Sequence, residues 1–249
     1  MISIFNPFDA CVYYEEVVGS TMDVSRKLAA AGEAHGTVIV ADYQSAGRGR
    51  IKGRVWRMES KVNLAFTILL RFPCTEKIPQ AITLRAGLAV SLAIEDFAPS
   101  LKDRVKVKWP NDVLIDRKKA AGILCEASDG IVHIGIGVNV GQKEFPVELE
   151  QKATSITLAA RNVHCTLYNE HQDRFLLLEK ILNKLYTELY SIDWKCRLEK
   201  RLYKTGEQVL FTEGAADSGN KIEGILCGIS EMGEILIDGT PYAAGELVM

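Results

Sequence analysis

The sequence of 249 residues is poor in several features, and each shortage removes a class of function. No apolar run is both long and free of charge. The two richest, around Val62–Phe72 and Leu84–Phe97, carry charged residues and are too short to span a bilayer. The first residues, MISIFNPFDACVYYEE, show no basic segment followed by an apolar stretch, so a signal peptide is not expected. Six cysteines (Cys11, Cys74, Cys125, Cys165, Cys196, Cys227) contain no CxxC pair. That scatter speaks against a zinc site or a disulfide framework and suits reduced thiols in the cytoplasm. The four histidines (His35, His133, His164, His171) lack metal-ligand spacing, so no metal ligand can be named. There is no GxxxxGK[ST], hence no P-loop. Neither sign of charge dominates: the formal net charge is −2, and a nucleic-acid partner would call for a basic excess. Repeats and low-complexity tracts are absent as well. What remains, 47% hydrophobic and 25% charged, is the composition of an ordinary globular chain, long enough for one large domain and one small one.

Local patterns divide the chain. Cys11–Val18, Thr37–Ala41 and Val62–Leu70 have the β-branched and aromatic content of strands. Gly19-Ser20-Thr21 opens a helix whose Val24, Leu28 and Ala31 recur at helical spacing before Gly32. Ile78–Phe97 reads as a buried helix. Val105–Trp109, Val113–Ile115, Ala121–Glu126 and Ile131–Val140 read as short strands, with turns at Asn111-Asp112 and Ser128-Asp129-Gly130. Such a succession implies a mixed or antiparallel sheet. Leu167–Tyr190 predicts a long amphipathic helix, with Phe175, Leu178, Leu182, Leu185 and Leu189 on one stripe. The basic segment Lys195–Lys204 reads as a solvated linker. After Gly206, the short strands EQVLF, IEGILCGI, EILID and GELVM have the spacing of a small SH3-like β-barrel.

Three segments carry chemistry. Gln44 to Trp56 holds four basic residues, three glycines and no acidic residue. Glycine lets a backbone approach a ligand, arginine forks onto carboxylate or phosphate oxygens, and tryptophan can stack on a flat ring. The segment suits a loop that closes over an anionic nucleotide ester; a mobile surface loop or a basic patch is the competing reading. Val107–Val113 (VKWPNDV) followed by Lys118-Lys119 could, as a hairpin, gather Asn111, Asp112 and one of the two lysines around a pocket; an ordinary turn with solvated lysines would look the same. In Gly135–Val140 (GIGVNV), glycines and Asn139 share one strand face, which leaves room either for a ligand or for a packing bulge. Ser20-Thr21 is the weakest signal, since a helix cap needs no function.

Taken in order, Ser20-Thr21, YQSAGRGR with Trp56, VKWPNDV, KKAAGIL and GIGVNV resemble the motifs of biotin protein ligases over about Val17 to Asn139. The resemblance implies an α+β fold: a mixed β-sheet flanked by helices, similar to the catalytic domain of class II aminoacyl-tRNA synthetases, over residues 1–200. A C-terminal SH3-like domain would occupy 201–249. It implies activation of biotin with ATP and Mg²⁺ to biotinyl-5′-AMP, then transfer to a lysine of a biotin carboxyl carrier protein. By position, Ser20, Thr21 and Gln44 would hold biotin's ureido ring and its surroundings. Arg48, Gly49 and Arg50 would close over carboxylate and phosphate, and Lys119 would bind the reacting carboxyl oxygen. Trp56 would stack on adenine, Asn111 and Asn139 would face ATP, and Asp112 would assist the incoming amine.

Three departures from the family pattern stand out. Met22 replaces an asparagine, one extra residue separates Arg50 from Trp56, and RMESKVNL replaces a Ser-Pro-x-Gly segment. No helix-turn-helix precedes the first motif, so a DNA-binding repressor role is not expected. The resemblance allows a homodimer through the edge of the central sheet. Lipoate ligases share the fold and the adenylation step; the pairing of KWPND with GRGR points to biotin.

Overall fold

Apolar runs punctuated by turn-forming residues become two sheets. The computed structural model describes residues 4–51, 53–160, 170–214 and 219–248. Lys52, His164, Cys165 and the first residues of the helix expected from Leu167 lie outside the described residues. The first sheet has seven strands, in the order β1 (Val12–Val18), β2 (Thr37–Gln44), β3 (Leu64–Arg71), β7 (Ile131–Val138), β6 (Lys118–Ser128), β5 (Asp112–Ile115) and β4 (Val105–Lys108). β1 and β2 are parallel and connected by helix α1 (Thr21–Ala30), whereas every other neighbouring pair is antiparallel. The sheet is mixed, as the succession of short strands implied.

The period of two along a strand sends alternate side chains to opposite faces. Leu64, Phe66, Ile68 and Leu70 of β3 join Val132, Ile134, Ile136 and Val138 of β7 in a core shared with α2 (Ile82–Phe97) and α4 (Glu170–Tyr190). The opposite face carries α1: Thr67 Oγ1 donates to Thr21 Oγ1 at 2.8 Å, and His133 Nδ1 lies 2.7 Å from Ser25 Oγ. Under the helical face, the fully buried Arg174 of α4 pairs with Asp42 of β2. Asp42 also accepts from the Tyr14 hydroxyl at 2.6 Å. Removing one member of such a buried pair leaves an uncompensated charge, so it pins α4 to the sheet. A short helix α3 (Ile156–Ala160) precedes α4.

Two elements differ from expectation. α2 begins at Ile82, not Ile78, because Pro79 disfavours helical backbone in the residue before it and Ala81 is left-handed at φ 55°. Lys195–Lys204 is not a solvated linker. Trp194, Leu198 and Leu202 recur every fourth residue and are buried, and helix α5 (Trp194–Glu199) forms on that stripe. Beyond it, Val107 N donates to Arg201 O and Tyr203 N to Val107 O, which covers the outer edge of β4.

The second sheet runs β11 (Thr240–Tyr242), β10 (Ile235–Ile237), β9 (Lys221–Ile229), β8 (Gln208–Glu213), β12 (Gly245–Leu247), all antiparallel. Its core includes Phe211, Leu226 and Ile235 together with Leu84 and Leu88 of α2 and Val107 and Trp109 at the end of β4. Trp109 Nε1 donates to Gly233 O at 2.9 Å, across the two parts. Among the described residues no helix is long and apolar enough to cross a membrane, and Cys11, Cys74, Cys125, Cys196 and Cys227 are free thiols.

Candidate active site

The site grows from the face of the first sheet that carries α1. Ser20 caps α1, its hydroxyl accepting from Met22 N at 3.3 Å. The next residue reaches across to β2: Thr21 N and Oγ1 both donate to Gln44 Oε1, at 2.8 and 3.0 Å. These bonds use the amide oxygen of Gln44 and leave its nitrogen free to donate into the adjoining cavity.

The glycine-arginine segment is more ordered than a loop reading suggests. Arg48 and Val55 form an antiparallel bridge, Gly49 N donates to Arg54 O at 2.8 Å, and Trp56 N donates to Gly47 O at 3.1 Å. The result is a small hairpin flap. Gly47 is required by close approach, since a Cβ there would lie 2.6 Å from the Trp56 carbonyl oxygen. Each arginine of the flap has an anchor: Arg48 Nη2 donates to Asp23 Oδ1 (2.8 Å), Arg50 Nη2 to Gly245 O (3.2 Å) and Arg54 Nη1 to Glu246 Oε1 (3.1 Å). The last two anchors belong to β12, so the second sheet holds the flap from above.

The opposing wall is the β5–β6 hairpin against β7. Gly122 and Gly137 are cross-strand partners, and the Trp56 indole rests on them. A Cβ on Gly137 would lie 2.3 Å from Trp56 Cε2, and one on Gly122 would lie 3.2 Å from both Trp56 Cζ3 and Lys119 Nζ. The indole Nε1 is buried without a partner. Pairing between β5 and β6 slips by one residue at Val113/Leu114, and a bulge of this kind re-aims the neighbouring side chain. Lys119 therefore turns to the cavity, its Nζ 2.5 Å from Asp112 Oδ1 and 5.8 Å from the centre of the Trp56 ring. The contact with Asp112 is an ion pair, and that buried oxygen has no other polar partner. Lys118 goes elsewhere, donating to Glu150 O at 2.8 Å. Of the two lysines that the local pattern left open, Lys119, the one the family resemblance indicates, lines the cavity.

Of the residues singled out in the sequence, one cavity gathers Ser20, Thr21 and Gln44, the flap residues Arg48, Gly49, Arg50 and Trp56, and Asn111 and Lys119 of the hairpin. Asn111 also has a structural duty, donating from Nδ2 to Ile123 O at 2.8 Å. Asp112 reaches the cavity through Lys119. Asn139 stands outside its lining; the side-chain amide donates to Thr154 O at 3.1 Å. That bond fastens the segment whose main chain pairs with Lys119 on either side, through Lys119 N to Lys152 O (2.8 Å) and Thr154 N to Lys119 O (2.9 Å).

The sequence reading missed several participants. Lys108 is buried at 4% exposure beside Asp112, Glu246, Lys119 and Arg54. Burial lowers its ammonium pKa from the ordinary value, with Asp112 and Glu246 opposing the shift. Read as one more strand residue, it gave no signal of its own except its place in KWPND. Asp23 and Glu246, the partners of Arg48 and Arg54, were invisible because they lie far from those arginines along the chain. Met22 lines the cavity floor, where a Cβ on Gly135 would lie 2.8 Å from its sulfur.

Comparison with known proteins gives a consistent answer. Residues 14–142 match the biotin/lipoate A/B protein ligase family. The chain is 42% identical over 156 residues to the bifunctional ligase/repressor BirA of Bacillus subtilis, covering 59% of this chain and 46% of that protein. The chain thus spans about half the length of this curated relative. It is 31% identical over 216 residues to the biotin–[acetyl-CoA-carboxylase] ligase of Paracoccus denitrificans, covering 81% of this chain and 83% of that one. Among solved structures, the biotin protein ligase from Aquifex aeolicus in complex with biotin and ATP superposes with a TM-score of 0.77 at 30% identity, over 95% of this chain and 97% of that one.

Proposed function

Because this chain belongs to the biotin/lipoate A/B protein ligase family, we propose that it is a biotin protein ligase working in the cytoplasm. It would form biotinyl-5′-AMP from biotin and ATP and pass the biotin to a lysine of a carboxylase's biotin carboxyl carrier domain. The observation that carries the reading is the single cavity in which a hydroxyl-and-amide pocket (Ser20, Thr21, Gln44), a cationic flap and the ammonium of Lys119 meet.

In the first step a carboxylate oxygen attacks the α-phosphorus and pyrophosphate leaves. Two anions must approach each other, and Coulomb repulsion opposes them. Arg48, Arg50 and Lys119 offset that repulsion and hold the reacting groups in line. Lys119 lines the cavity while paired with Asp112, so an entering anion would share its ammonium with that carboxylate. Lys108 and Arg54 would add to the positive charge near Asp112 and Glu246. Trp56 would present its ring to adenine.

Mg²⁺ neutralises polyphosphate charge when bound. Among the described residues no three His, Cys, Asp or Glu side chains cluster for a metal. An ion held mainly by phosphate oxygens and water would fit that donor set. In the second step the neutral amine of the carrier lysine attacks the acyl carbon and AMP leaves. Asp112 would orient that amine and accept its proton.

The test is incubation with ATP, a biotin carrier domain and either labelled biotin or labelled lipoate. Biotin alone should reach the carrier. Transfer of lipoate alone, or of neither acid, would overturn the assignment.

A further inference from the structure

We infer that Asp23 is a positioning residue for Arg48, fixing the first arginine of the flap over the cavity mouth. The inference rests on the reading of the site as one that takes an acid and a nucleotide. Asp23 lies in the first turn of α1, directly after the cavity residues Thr21 and Met22, and outside the cavity lining itself. Its Oδ1 accepts from Arg48 Nη2 at 2.8 Å and also from Arg26, one turn further along α1. Arg26 in turn pairs with Glu126 on β6.

Four charges of alternating sign thus run from the sheet, across the helix, to the flap. The order matters. Arg26 is held from both sides, so Asp23 is presented to Arg48 in one orientation, and the flap end is tied to the rigid layer instead of drifting with its glycines. Desolvation pulls the Asp23 pKa upward, but the bonds and charges of Arg48 and Arg26 outweigh it and the net shift is downward.

Arginine carries five N–H donors. One spent on Asp23 leaves the others to meet an anion entering the cavity. An unrestrained guanidinium would instead lose its rotamer freedom at the moment of binding. Asp23 accordingly acts through Arg48 and lies outside the lining that would meet the acid and the nucleotide.

The experiment compares the full chain with Asp23→Asn, Asp23→Glu, Arg48→Gln and the double variant Asp23→Asn/Arg48→Gln, in biotin-dependent ATP–pyrophosphate exchange. Both partners are partly exposed, so Asp23→Asn should raise the KM for biotin about two- to fivefold, with any fall in kcat smaller than that of Arg48→Gln. Asp23→Glu should restore most of the affinity. The double variant should be no weaker than Arg48→Gln alone, because a residue that works through Arg48 has nothing left to position.

Limited trypsin digestion supplies a readout free of activity: cleavage after Arg48 should be faster in Asp23→Asn by a similar factor. An unchanged KM, multiplying effects in the double variant, or unaltered cleavage would each overturn the inference. A wild-type chain without biotin-dependent exchange refutes the ligase reading instead, and the digestion then decides the role of Asp23 by itself.

Discussion

Replacing Lys119 by methionine keeps the stem that lies beside Gly122 and Trp56 and removes the charge. Deleting one preorganised group that faces developing negative charge costs roughly 2–4 kcal/mol, or about 30- to 900-fold in rate. The Lys119 side chain is 35% exposed, so water screens part of its field and the loss should fall in the lower half of that range. Asp112 aggravates it. Once the ammonium 2.5 Å from its Oδ1 is gone, the carboxylate, only 19% exposed, adds its own repulsion against both substrates. Lys119→Met/Asp112→Asn should therefore adenylate faster than Lys119→Met, by about threefold, although it carries one more lesion. The assay is rapid-quench formation of biotinyl-AMP from labelled ATP, with thermal melting to verify the fold. Asp112→Asn alone should leave adenylation nearly intact and slow transfer from preformed adenylate to the carrier. Adenylation by Lys119→Met within about fivefold of wild type would refute the electrostatic role of Lys119. A double variant slower than Lys119→Met would refute the part given to Asp112.

Three other outcomes are expected. Arg50→Gly removes a flap cation and its bond to Gly245 O, so biotinyl-AMP should escape and label unrelated proteins, scored by blotting for biotin; labelling confined to the carrier contradicts it. Gly137→Ala sets a methyl 2.3 Å from Trp56 Cε2 on a strand bonded along both edges; the indole must leave its bed, at a cost of about 1–3 kcal/mol, seen as a lower melting temperature and easier quenching of Trp fluorescence. Burial, reinforced by Arg26, lowers the His133 pKa below its ordinary 6.5. The unfolded chain therefore takes up a proton more readily, and stability falls as pH drops through 6.5 toward the folded value. The urea midpoint should decrease from about pH 7.5 to about pH 5.5, and less so in His133→Gln; equal decreases remove His133 from the account.

Where β-branched and aromatic residues concentrate, as in Leu64–Arg71 and Ile131–Val138, the sequence sufficed to place the strands and the glycines that floor the site. The motif order pointed to most of the residues that one cavity gathers, with Asn139 outside its lining and Asp112 behind Lys119. Other features depended on partners distant in the chain. Lys118 and Lys119 are chemically alike; the family resemblance alone indicated Lys119, and the slipped pairing at Val113/Leu114 is the physical difference between them. A basic run concealed the stripe Trp194, Leu198, Leu202, because charge on one face of a helix says nothing about the other. The anchors of the flap, Asp23 and Glu246, are ordinary acidic residues until the fold sets them beside Arg48 and Arg54.

The second apolar core has an owner in each part of the chain. Leu84 and Leu88 give it one side of α2, whose remaining faces help build the first core, and Trp109 directly precedes the turn that carries Asn111 and Asp112. Severing the chain near residue 200 would thus wet a helix on which the catalytic sheet depends and free the flap from two of its three anchors. The small sheet is a keystone more than an appendage, and heat should melt both parts in one cooperative event.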